Sequence, residues 1–212
     1  MTLHIHIHPK DPQPRLVRQI TQMLRDGEIV AIPTDTAYAL VCRLDDGSAA
    51  DHMRQIRGLS DAKSHPFSLL CADLSQLSNY AKVDNKQFRL LKLGTPGPFT
   101  FVLEATKDVP RRVSHPQRRT IGLRVPDHAV TLALLKELGE PLLATTLILP
   151  GEENPLNDAE EISTRLDYQI AAVLDAGACS DNPSTVLDLS QSQPVLIRLG
   201  QGDPALLGLQ LE

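Results

Sequence analysis

Leu3, Ile5 and Ile7 alternate with His4, His6 and His8, a period of two that predicts a half-exposed opening strand. Pro9, Pro12 and Pro14 end it, since proline gives a strand ladder no donor. The period then lengthens: Leu16, Val17, Ile20, Met23 and Leu24 fall on one helical stripe that Gly27 stops. Apolar runs over 28–32 and 66–71 predict short buried strands. Ser48 to Asp51 has capping-box spacing and predicts a helix ending near Gly58. Asp73, Asp84, Asp127 and Asp158 each precede a helical pattern and are read as N-caps. Strands over 99–103, 120–125, 142–149, 170–174, 185–189 and 195–199 complete the pattern. Strands and helices are interspersed throughout, with no repeat and no Gly/Ser linker, which predicts one layered α/β domain with a mixed sheet.

Composition narrows the class. A chain of 212 residues is one domain, or one with a small appendage, and buries roughly 70% of its unfolded surface. With 42% hydrophobic and 22% charged residues, it is neither disordered, collagen-like nor a disulfide scaffold. Cys42, Cys71 and Cys179 show no C-x-x-C spacing, which suits a reducing compartment. The sequence has no basic n-region leading into an apolar run, and no 18-residue apolar stretch, so a cytoplasmic protein without a membrane partner is expected. The net charge of −5 argues against a wholesale polyanion binder. The charge is nevertheless uneven. Lys107, Arg111, Arg112, Arg118, Arg119 and Arg124 stand against Asp108 alone, whereas Arg165 is the only Lys or Arg between Glu152 and Asp188. With 3% aromatics and no Trp, stacking of single-stranded bases is not expected.

The three alternating histidines share one strand face, a geometry that suits zinc. No carboxylate or fourth ligand lies nearby in the sequence, so the plainer reading is an exposed strand face, and no metal is expected. Gly200-x-Gly202-x-x-Ala205 matches the dinucleotide fingerprint in form. Asp203 and Pro204 sit where phosphate-facing donors are needed, and too few residues follow to finish a βαβ unit. No P-loop, G-x-S-x-G or H-E-x-x-H occurs, so neither a covalent nor a zinc hydrolase has support. Residues 32–39 are more informative. Past the strand, Thr34, Thr36 and Tyr38 place a row of hydroxyls where a pocket wall for a small polar ligand would stand; ordinary strand-edge threonine is the equal alternative. Pro96 to Thr100 reads as a rigid turn into a strand, and Ser184 with Thr185 repeats the hydroxyls at a strand start. Arg198 lies in an apolar run and needs a carboxylate or a ligand phosphate.

Taken in order, these pieces resemble the YrdC-like family, the threonylcarbamoyl-AMP synthases of tRNA modification. The family's P-T-[DE]-T-x-Y-G-L stands here as residues 33–40, its P-G-P-x-T as 96–100, and its V-G-x-R-x-P as 121–126. Its S-T-V is residues 184–186 and its closing I-x-R-x-G is 196–200. The Pro-rich opening, the block at 146–151 and Val109-Pro-Arg-Arg112 look most like the YciO branch. The resemblance implies a single domain over residues 1–212, core roughly 14–202, with a three-layer α/β fold, a twisted mixed sheet and a concave basic face. It also implies a nucleotidyltransferase that makes threonylcarbamoyl-AMP and pyrophosphate from threonine, bicarbonate and ATP. Magnesium would accompany the ATP, with no tightly bound cofactor and no protein nucleophile.

By that mapping Thr34, Thr36, Tyr38, Thr100, Arg124 and Ser184 bind the threonine-type substrate. Arg57, Lys63, Thr146 and Arg198 bind the nucleotide. The departures bear on activity. The arginine of the family's K-x-R-P is Leu59, and the asparagine of its S-x-N is Ile148. Each lost charged or polar phosphate contact costs about 1.5 to 3 kcal/mol where buried, so two correspond to roughly 10² to 10⁴ in rate or affinity. The sequence therefore reads as a synthase-like enzyme of weak or altered activity. The competing reading is a non-catalytic module for double-stranded RNA or tRNA, carried by Lys107, Arg111, Arg112, Arg118 and Arg119.

Overall fold

A computed structural model describes residues 1–59 and 67–209. Ten strands form a single mixed sheet: β1 (Leu3–His6), β2 (Val30–Ile32), β3 (Ala39–Arg43), β4 (Ser68–Leu70), β5 (Phe99–Glu104), β6 (Thr120–Arg124), β7 (Leu142–Thr146), β8 (Ala172–Asp175), β9 (Thr185–Asp188) and β10 (Val195–Arg198). Their order across the sheet is β1-β8-β2-β3-β7-β4-β6-β5-β9-β10. The pairs β1–β8, β2–β8, β4–β6 and β5–β9 are parallel and the others antiparallel. This is the mixed sheet that the interspersed pattern predicts.

Alternation decides which side chains face which layer. Leu40, Cys42, Leu69, Phe101, Leu103, Leu123, Leu143 and Leu187 point to one face and pack with α2 (Gly47–Ile56), α3 (Leu74–Tyr80), α4 (Asn85–Gly94) and α6 (Ala159–Arg165). Val30, Ile32, Val41, Ala144 and Leu174 point to the other, under α1 (Pro14–Arg25) and α5 (Ala129–Leu138). Three layers result. The second layer of helices is shorter than the sheet: its buried cluster stops at Leu70 and Ala144. Beyond them, the same face of β5, β6 and β9 carries Thr100, Val102, Gly122, Arg124 and Val186, with Ser184 just before β9, around an open concavity.

Most caps follow the sequence. Asp73, Asp84 and Asp158 accept from the first-turn N–H groups of α3, α4 and α6. Two expectations are corrected. The cap of α2 is Asp46, which accepts from the Ala49 N–H at 2.9 Å; starting two residues earlier gives the helix a carboxylate acceptor instead of a serine hydroxyl. At α5 the N-cap is His128, without a side-chain capping bond, and Asp127 is exposed. Strand β3 is absent from the sequence reading, because its five residues adjoin the hydroxyl segment with no turn signal between them. No helix of the described residues is long and apolar enough to cross a membrane.

Candidate functional site: an arginine-lined cavity

Small side chains make the concavity. Ser68 of β4 stands opposite Gly122 of β6, which stands opposite Val102 of β5. A Cβ on Gly122 would lie 3.1 Å from Thr100 Cγ2 and 3.2 Å from Ser68 Cβ, so any side chain there would rise into the hollow. Ala39, Ala144, Thr120 and Thr146 continue the low floor. The cavity holds about 570 Å³, within the range of small-molecule sites.

One wall is the loop between β2 and β3. Thr34 Oγ1 donates to the Ala37 carbonyl at 2.7 Å and accepts from the Thr36 N–H at 3.1 Å. The two threonine hydroxyls are 3.1 Å apart. A hydroxyl has one proton. With the Thr34 proton committed to Ala37, the Thr36 proton goes to Thr34. Arg124 Nη1 donates to Thr36 Oγ1 at 2.8 Å, which leaves Thr36 one lone pair and no donor. Thr36 therefore offers the wall an acceptor and no donor. Tyr38 lines the same wall, fully buried, with its hydroxyl donating to the Gly177 carbonyl at 3.0 Å. Burial raises its pKa, so it stays a neutral phenol.

The charge is one-sided. Arg118, Arg124 and Arg198 line the cavity, and among the described lining residues there is no carboxylate. Arg124 leans on Asp35 just outside, Nη2 to Oδ1 at 2.5 Å, with their side chains 7% and 12% exposed. Arg118 pairs with Asp188 at 3.1 Å. Arg198 has no carboxylate partner among the described residues; it donates to the Ser184 carbonyl from Nη2 at 2.8 Å and from Nε at 3.2 Å. Ser184 Oγ is in turn 2.8 Å from Thr100 Oγ1. Behind the wall, Arg57 Nη1 donates to the Thr146 carbonyl, while its buried Nε has no partner. Burial is the main cause lowering the pKa values of Arg57, to about 10, and of Arg124 and Arg198. Mutual repulsion adds to it: Arg198 acts on Arg57, and Arg124 acts on Arg198. Three crowded guanidiniums, of which only Arg124 has a carboxylate partner among the described residues, make a local excess of positive charge that favours an anion.

The structure thus brings Thr34, Thr36, Tyr38, Thr100, Arg124, Thr146, Ser184 and Arg198 to one cavity, with Arg57 directly behind it. Lys63 lies outside the described residues. The basic loop divides. Arg118, expected on an RNA-facing surface, lines the cavity, and Arg112 turns inward to the Leu44 and Asp45 carbonyls. Lys107, Arg111 and Arg119 are exposed away from the cavity. The glycines of the dinucleotide-like run serve packing: a Cβ on Gly200 would lie 2.1 Å from the Pro183 oxygen, and one on Gly202 2.7 Å from the Phe99 ring. Sequence reasoning did not assign Asp35, Ser68 or Gly122 a place in the site. The signal for Gly122 was the spacing Thr120-x-Gly122-x-Arg124, three positions on one face of a strand.

Comparison with known proteins bears on the fold and the family. The Sua5/YciO/YrdC family model, described as telomere recombination, matches residues 22–200. YciO of Escherichia coli K12 is 46% identical over 203 residues, spanning 96% of this chain and 98% of its own length. Its crystal structure superposes with a TM-score of 0.93 over 98% of this chain and 100% of that one. The threonylcarbamoyl-AMP synthase of Bacillus subtilis is 32% identical across 90% of this chain, which spans 54% of that protein. Sua5 of P. abyssi, solved with L-threonine, has a TM-score of 0.86 at 27% identity over 94% of this chain and 58% of its own. With its fold, its motif order and its match over most of its length, the chain belongs to the Sua5/YciO/YrdC family, on the YciO branch.

Proposed function

We propose that the cavity binds ATP together with threonine or a related amino acid, and that the protein is a synthase-like nucleotidyltransferase of weak or altered activity. The observation that carries this reading is the set of three arginines lining a hollow that no carboxylate among the described residues lines. Relatives named threonylcarbamoyl-AMP synthase, and one crystallised with L-threonine, support the substrate class. Thr36, an acceptor, faces the amine, and the Arg124 guanidinium beside it faces an anionic group. Thr34 and Tyr38 shape that end, and Thr100 and Ser184 contact the amino-acid end of the intermediate. Arg198, with Arg57 and Thr146 behind and beside it, faces phosphate. The threonine nitrogen adds to bicarbonate with loss of water to give a carbamate. A carbamate oxygen then attacks the α-phosphorus of ATP, and pyrophosphate leaves with the electron pair of the broken P–O bond. No protein nucleophile is required; catalysis is positioning and stabilisation of phosphoryl charge. Magnesium enters with the triphosphate as part of the substrate. Free cysteines at 42, 71 and 179 and these substrates suit a cytoplasmic protein.

Leu59 and Ile148 set the level of activity. Each is half-buried and aliphatic where the family pattern carries a phosphate-facing cation or amide. Pyrophosphate release measured with ATP, threonine and bicarbonate is expected to require all three and to run roughly 10² to 10⁴ below a full synthase. Release independent of any amino acid, or a rate equal to a full synthase, would contradict the proposal.

A further inference from the structure

We propose that His4, His6 and Asp175 form a binding site for a divalent transition-metal ion of the zinc, nickel or copper type, at the edge of the sheet and separate from the cavity. Strand β1 runs parallel to β8 with His4 opposite Val173 and His6 opposite Asp175. Residues i and i+2 of a strand share a face with their register partners, so both imidazoles and the carboxylate project together. His4 Nε2 lies 2.9 Å and His6 Nδ1 3.0 Å from Asp175 Oδ2. The three donor atoms all lie within 4.8 Å of one another. A tetrahedral zinc ion with bonds of about 2.0 to 2.1 Å holds its ligands roughly 3.3 Å apart, so small side-chain rotations admit the ion without moving the strands.

Three further features fit a ligand set. The second carboxylate oxygen, Asp175 Oδ1, accepts the Gly177 N–H at 2.9 Å, an outer-shell bond of the kind that orients metal-binding carboxylates. The His6 side chain is 80% exposed, leaving room for water at the remaining coordination positions. Two imidazoles with one carboxylate favour zinc, nickel or copper over magnesium or calcium, which prefer all-oxygen shells. His8, third in the alternating run, does not join them; its Nδ1 accepts from the backbone N–H groups of Lys10 and Asp11 at 3.3 and 2.9 Å. The sequence showed the histidines but not the site, because its carboxylate lies about 170 positions away on β8. The bound ion would pin β1 to β8. Through Gly177, whose carbonyl takes the Tyr38 hydroxyl, it would also brace the cavity wall. This inference stands independently of the nucleotide reading.

The test is calorimetric titration of the full chain, stripped with chelator, with Zn²⁺ at pH 7.5, and with Co²⁺ followed by its visible absorption. One ion per chain is expected. Affinity should fall tenfold or more in His6→Ala and in Asp175→Asn, and stay unchanged in His8→Ala. Because His6 is exposed, His6→Ala should melt at the wild-type temperature without metal, which separates loss of ligand from loss of fold. No stoichiometric binding, full affinity retained in His6→Ala, or an equal loss in His8→Ala would overturn the site.

Discussion

Arg124 and Asp35 are held 2.5 Å apart with 7% and 12% of their side chains exposed, so little water is available to replace either partner. Asp35 Oδ2 and Arg124 Nε are buried without a hydrogen-bond partner among the described residues. Arg124→Ala removes one half of a buried ion pair and is expected to lower stability by about 3 to 5 kcal/mol. Arg124→Ala with Asp35→Asn should recover part of that loss, because no bare carboxylate remains. Urea unfolding of the two variants checks it, and a double variant no more stable than the single one would contradict the pairing. The arginine was legible in the sequence from its motif. Its partner was not: 89 positions separate them, and only the sheet order brings β6 beside the end of the β2 strand's loop. The same holds for Arg118, whose place in a run of basic residues suggested a surface role until Asp188 drew it to the cavity.

At the scale of elements, α5 shows how a local rule yields to packing. Asp127 is the better capping residue, yet His128 takes the N-cap position and its buried Nδ1 is unpartnered. Burial is the main cause holding the His128 pKa below its ordinary value, and the nearby Arg124 adds to it, while Asp35 and Asp127 oppose them. The positive end of the helix disfavours a cation there as well. A histidine whose folded pKa lies below its unfolded value binds fewer protons in the fold. Stability is then complete above about pH 6.5 and declines as the pH falls through that value. His128→Gln is expected to flatten the dependence between about pH 7 and 5 in thermal melts. An unchanged slope would show that His128 titrates as freely in the fold as in the unfolded chain. Strongly periodic elements such as α1 were legible from pattern alone, as were the aspartate caps of α3, α4 and α6. The short strand β3 was not, and the apolar run of β10 did not reveal that Val195 and Ile197 are 42% and 54% exposed. An edge strand and an interior one can carry the same apolar run; only the neighbours differ.

Across the whole molecule, a net charge of −5 coexists with a cavity lined by three arginines. Among the described residues no carboxylate lines the cavity, although Asp35 and Asp188 pair with two of its arginines, so the field that an incoming anion meets is set locally and not by the average. That face exists because two helices cover only part of one side of ten strands. Interspersed strands and helices announced an α/β fold, and the ordered motifs announced its family. Strand order and the bare stretch of sheet arise from long-range pairing, which no local pattern encodes. Under the proposed function the uncovered stretch grips a nucleotide through its guanidiniums, and calorimetric titration of the full chain with magnesium-ATP, with and without threonine, beside the Arg198→Ala variant tests this. ATP binding is expected to be measurable, to change with threonine, and to weaken roughly 10- to 100-fold when the Arg198 charge-assisted contact is lost. Wild-type protein that takes up no ATP, or Arg198→Ala that binds it equally well, would contradict it.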